Sequence, residues 1–112
     1  MPNVYKVLGR IAAAATTDES LYAVPSATEA VVSTIVVANR AAAARTYRIA
    51  IKPTSATTIA AEHYIAYDVT IAANDSVALT LGITLAATNT IVVYASAASS
   101  LTFQAFGSEI TA

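Results

Sequence analysis

In residues 46–52, TYRIAIK, Tyr47, Ile49 and Ile51 alternate with Thr46, Arg48, Ala50 and Lys52. A period of two is that of a β-strand, so this stretch predicts a half-buried strand with its basic residues turned to water. HYIAYDVTI at 63–71 repeats the rhythm, which puts Ile65, Tyr67, Val69 and Ile71 on one face and Tyr64, Ala66, Asp68 and Thr70 on the other. EAVVSTIVVA at 29–38 is apolar at both parities and rich in β-branched residues, the pattern of a strand covered on both faces. Val77, Leu79 and Leu81 alternate before Gly82, and Leu101, Phe103 and Ala105 alternate with Thr102, Gln104 and Phe106. Residues 4–11, 21–24 and the β-branched run 91–95 complete the set.

Turn-forming residues separate these runs at 16–20, 25–28, 53–58, 72–76, 86–89 and 97–100. About eight strands at short, regular spacing predict an all-β fold: one antiparallel β-sandwich, jelly-roll-like, with little or no helix. Parallel crossovers need a dozen or more residues, which this spacing does not leave. Alanine is the best helix former, but Ala12 to Ala15, Ala41 to Ala44 and the segment 57–62 are each four to six residues long. Helices below about 12 residues are marginal in isolation, so propensity yields to the neighbouring strands. TTIAAE leaves room for a single turn. The alanines at 41–44 are predicted to form a hairpin loop between a strand ending at Asn39 and Arg40 and one beginning at Thr46.

Composition changes the picture at one point. The 112 residues fit a single domain able to bury roughly 65% of its unfolded surface. Yet 56% of residues are apolar and only 12% are charged, about half the usual charged fraction of a soluble domain. No apolar run approaches the ~18 residues of a membrane span, and the first fifteen residues lack the basic start and unbroken apolar core of a signal peptide. Low surface charge then predicts that other subunits cover much of the exterior. A net charge of −1 with scattered basic residues argues against nucleic-acid binding.

Candidate chemistry is sparse. The absence of cysteine removes disulfides, thiolate metal sites and a cysteine nucleophile. Glu62 and the lone His63 point to opposite faces if they lie in a strand, so local sequence builds no acid–base pair and no zinc site. Asp18 with Glu19, and Asn74 with Asp75, sit in turns where such residues bond their own backbone more often than calcium. GSE at 107–109 is not a nucleophile elbow, and the isolated glycines build no phosphate loop. Gly82 is predicted to mark a bulge or close backbone approach. The six tyrosines are read as core and interface residues, with a sugar-binding platform as the alternative. No catalytic, cofactor or metal residue emerges.

The order of motifs, LYAVPSATEAVVSTIVVANR (21–40), TYRIAI, YIAYDVTIAANDSVALTLGITL (64–85), TIVVYAS and FQAFGSEI, resembles small virion structural proteins of tailed bacteriophages. The resemblance implies a non-enzymatic β-sandwich that decorates or cements a capsid shell, or builds a tail, neck or baseplate. Its implied partners are the major capsid protein, or tail and baseplate proteins, together with copies of itself in a homo-oligomer such as a trimer. The implied location is the virion, after synthesis in the host cytoplasm. Two stretches are expected to make the contacts. One is an arm or edge strand within residues 1–10, through Val4, Tyr5, Val7 and Leu8; the other is the alanine loop, through Arg40, Ala42, Ala43 and Arg45. The C-terminal EITA is second choice to the arm.

Overall fold

The computed structural model describes residues 3–53, 58–80, 82–98 and 100–111. Among them it forms nine strands: β1 (Asn3–Ala12), β2 (Glu19–Ala23), β3 (Thr28–Asn39), β4 (Arg45–Lys52), β5 (Tyr64–Ile71), β6 (Ser76–Leu79), β7 (Ile83–Leu85), β8 (Thr90–Ala95) and β9 (Leu101–Thr111). One sheet runs β1, β9, β3, β6, with β7 also on β3; the other runs β2, β8, β4, β5. All of these strand pairs are antiparallel. The pairs β1 with β9, β2 with β8, β3 with β6 and β7, and β4 with β5 describe a long ribbon folded across two layers. Pairing β9 to β3 and β8 to β4 closes it into a jelly roll.

Alternation explains the layers, with one change of parity in β3 at the register shift between Val32 and Thr34. Val32, Ile35 and Val37 of β3 and Leu101, Phe103 and Ala105 of β9 are fully buried, as are Ile49 of β4 and Ile91, Val93 and Ala95 of β8. Tyr47 of β4 meets Phe103 of β9 edge-to-face across the sandwich, with ring centroids 6.3 Å apart. Burial raises the Tyr47 phenol above its ordinary pKa. Asn39, also buried, ends β3 by bonding its surroundings: its Nδ2 donates to the carbonyls of Ala43, Ala72 and Ile71 at 2.9, 3.1 and 3.3 Å, and its Oδ1 accepts from Ala41 N–H at 3.0 Å.

Several expectations need correcting. The alanine run is a loop, but not a hairpin: β3 and β4 lie in different sheets, so residues 40–44 cross from one layer to the other, wrapped around the Asn39 amide. The ninth strand is β7, separated from β6 by Gly82. Gly82 has φ +63° and open space where a Cβ would sit, so it serves a left-handed turn rather than a close approach. Close approach occurs instead at Gly9, whose Cβ would lie 2.1 Å from the Leu21 carbonyl oxygen of the opposite sheet, and at Gly107, 2.0 Å from that of Val31. Among the described residues the only helical piece is a 3-10 turn, Ala61–His63, which overlaps TTIAAE. Leu81, residues 54–57 of one predicted turn, Ser99 of another, and the terminal Met1, Pro2 and Ala112 lie outside the described residues.

Strand β5 departs most from its pattern. Ile71 is buried and Ala66 packs against the core, while Ile65, Tyr67 and Val69 are exposed. Along the pairings Tyr47↔Val69, Ile49↔Ala66 and Ala50↔Tyr64, β5 twice uses one residue more than β4, and Asp68 sits at φ 51°. Val69 and Ile71 keep one face, in continuous register with Tyr47 and Arg45, and the two bulges beyond Val69 break the alternation that placed Ile65 and Tyr67 with them.

Candidate functional site

The predicted contact residues separate into two places. Val4 and Tyr5 are 53% and 81% exposed, and Val7 is partly covered. Leu8 is in the core, so it is removed from the contact set: the β1 ladder shifts register between Val7 and Gly9, and the extra residue there is buried while Lys6 and Arg10 of the same parity are exposed. β1 pairs with β9 from Asn3 to Ala12, which makes it an edge strand and not an arm. The C-terminal strand is enclosed between β1 and β3, with its backbone edges already used. Arg40, Ala42 and Ala43 are exposed; Arg45 is partly buried, with its Nε donating to Ser100 Oγ at 3.2 Å and its Nη1 to the Ala44 carbonyl at 3.1 Å. Tyr5 lies opposite Ser108, whereas Arg40 N–H bonds the Ser100 carbonyl at the far end of β9. Eight residues of strand, about 26 Å, separate the two groups. They do not form one patch.

Sequence reasoning missed a third cluster, on β5 and its neighbours. Arg48 of β4 faces Tyr94 of β8 in register, and its guanidinium carbon lies 4.3 Å from the centre of that ring and 4.2 Å from that of Tyr67. Its Nε and Nη2 donate to Asp68 Oδ1 and Oδ2 at 2.6 and 3.3 Å, a forked pair whose hydrogen bonding raises the guanidinium pKa further. Tyr64 stands edge-on to Tyr67, with centroids 4.8 Å apart. In a regular strand, residues three apart point to opposite faces; the bulges bring these two rings together. Ala61, Tyr64 and Tyr67 line an open hollow of about 410 Å³. In the sequence Tyr64, Tyr67 and Tyr94 lie 16, 19 and 46 residues from Arg48, and only the register unites them.

A second polar knot joins the sheets at the β1 edge. Tyr22 of β2 donates its hydroxyl to Glu109 Oε2 at 2.5 Å, and Lys6 Nζ donates to Glu109 Oε1 at 3.0 Å. Burial first, then the Glu109 bond, raises the Tyr22 phenol well above its usual range, and the Tyr22 bond followed by Lys6 lowers the Glu109 carboxyl. The turn acids serve the backbone: Glu19 Oε1 accepts from Ala14 N–H at 2.6 Å, and Asp75 Oδ1 from Ser76 N–H at 2.8 Å. His63 Nδ1 accepts from Ala60 N–H at 2.9 Å, within the 3-10 turn, while Glu62 is exposed. Among the described residues, no three His, Cys, Asp or Glu side chains gather as metal ligands would.

What the surface offers, then, is contact chemistry: apolar and aromatic groups on exposed strand edges, flanked by charges. No protein-family model matches this chain, and no curated protein matches it. Among solved structures, it is similar to a chain in the structure of infectious bursal disease virus, Gx strain, at 11% identity with a TM-score of 0.50. The match takes in 98% of this chain and 32% of that one, so this chain spans about a third of the viral chain's length. At that identity the two share a fold.

Proposed function

We propose that this chain is a structural subunit of a virus particle, and specifically a decoration or cement protein of a bacteriophage head that bridges neighbouring copies of the major capsid protein. The observation that carries the reading is the placement of the exposed apolar surface. The five exposed large hydrophobic residues among those described, Val4, Tyr5, Ile65, Tyr67 and Val69, all lie on the edge strands β1 and β5 of the jelly roll. Edge strands are where a sheet offers itself to a neighbour, and soluble monomers usually guard them with charge. This chain has little charge to spare for that. The fold shared with a viral chain and the motif order resembling phage virion proteins support the same reading.

The mechanism is mechanical: apolar burial at the seams between shell subunits resists outward pressure, and no bond is made or broken. The protein added to expanded shells should bind stoichiometrically and raise their disruption temperature. Labelling confined to the tail in electron micrographs would replace this role with a tail, neck or baseplate one. A carbohydrate-binding role draws on one observation, the half-buried Tyr64 and exposed Tyr67 beside Arg48 and Asp68. Retention on a host-glycan surface, lost in Tyr67→Ala, would favour it over the cement role.

A further inference from the structure

β1 and β5 occupy opposite corners of the sandwich. β1 is the outer strand of the first sheet, on the side where Gly9 crosses Leu21 of β2; β5 is the outer strand of the second sheet, three strands away from β2. Among the described residues, each of these strands has one sheet neighbour. Their exposed apolar residues, Val4 and Tyr5 on one and Ile65, Tyr67 and Val69 on the other, are too far apart to cover each other within one molecule.

The two edges also differ in charge. β1 carries Lys6 and Arg10 and no acidic residue, whereas the segment 61–71 carries Glu62 and Asp68 and no lysine or arginine. Lys6 is already paired with Glu109 and Asp68 with Arg48, so the charges that differ between the two edges are the exposed Arg10 on β1 and the exposed Glu62 before β5. Two β1 edges brought together would set like charges against each other, as would two β5 edges. A β1 edge against a β5 edge joins apolar to apolar and basic to acidic.

From this complementarity we infer that copies of the chain associate head to tail, the β1 edge of one copy docking on the β5 edge of the next. The occupant of each edge is a second copy of this protein. Such an interface is heterologous: each copy uses two different surfaces, and repetition gives a ring where the rotation closes. The bulges in β5 disrupt the even spacing of backbone donors and acceptors that strand addition needs. The contact is therefore made by side chains and is not a continuous intermolecular sheet. It rests on the particle-subunit reading and deepens it by naming one partner, and its test uses purified protein alone, so it stands or fails separately from binding to shells.

Four variants test it. Val4→Ser with Tyr5→Ser disables one surface, and Ile65→Ser with Val69→Ser the other; all four positions are exposed, so the thermal midpoint should stay near that of the unaltered protein. By analytical ultracentrifugation the unaltered protein should exceed its 11.5 kDa monomer mass, and each double variant should fall to it. Mixing the two double variants should restore a single junction and give a dimer that grows no further. Because the chain has no cysteine, Tyr5→Cys and Ile65→Cys provide a check that does not depend on weakened surfaces: a disulfide should form in their mixture and not in either alone. A monomeric unaltered protein, no dimer on mixing, or cross-links within one cysteine variant would overturn the inference.

Discussion

β9 and β5 are both antiparallel strands, but one sits inside its sheet and the other at an edge. β9 pairs on both sides, and its residues from Leu101 to Phe106 alternate between fully buried and half-buried without interruption. β5 has one neighbour, skips two residues against it, and leaves Ile65, Tyr67 and Val69 exposed. β3, also held by two ladders, shifts register once against β9, between Val32 and Thr34, yet keeps Ala30, Val32, Ile35 and Val37 in the core. At the β5 edge the bulges instead assemble an arginine, an aspartate and two tyrosines that a regular strand would have kept apart. Buried packing is concentrated in the first strand and exposed apolar surface in the second.

The sharpest test of that division is a pair of truncations. Phe103→Ala empties a fully buried site against Tyr47 and should cost about 3–5 kcal/mol in denaturant unfolding. Ile65→Ala, on exposed surface, should stay within about 0.5 kcal/mol of the unaltered protein. Comparable losses would erase the contrast. Gly107→Ala should rank between them, at about 1–3 kcal/mol, because the added methyl meets backbone of β3 and only a shift of the strand relieves it.

A smaller effect separates the end of β9 from its centre. Glu109 has its folded pKa lowered by Tyr22 and Lys6, so the stability it contributes is complete above its unfolded pKa and disappears as pH falls through the folded value. Tyr22 has its folded pKa raised, so its contribution is complete below the unfolded phenol pKa of about 10 and declines as pH rises beyond that. A stability profile should fall on both limbs, and Glu109→Gln should flatten the acid one. An unchanged acid limb in that variant would assign it to other carboxylates.

How much of this was legible follows the same line between centre and edge. The faces of β9 and the half-buried character of β4 can be read from period-two alternation, because their neighbours enforce it. The β5 faces could not, since a bulge is a property of pairing and Asp68 gives no sign of its left-handed backbone beyond being a residue that tolerates one. The glycines divide similarly: Gly82 adopts its own turn, but the crowding at Gly9 and Gly107 comes from strands distant in sequence. The alanine run was rightly denied a helix, yet its path between sheets depends on Asn39 reaching carbonyls 4, 32 and 33 residues away. Strand number and spacing suggested a jelly roll; the pairing order that makes one required the register. Of the predicted contact residues, Val4 and Tyr5 proved exposed and Leu8 did not, and nothing in the spacing distinguishes an edge strand from a buried one.

Amide hydrogen exchange as a function of protein concentration reads the centre and both edges of the sandwich at once. The β3 and β9 amides should be protected at every concentration, because both strands are paired on two sides. Residues 3–7 and 64–71 should gain protection together as concentration rises, and keep it when the protein is bound to a particle. If both edges exchange at the same rate in dilute, concentrated and particle-bound protein, then neither is a contact surface and the account is wrong.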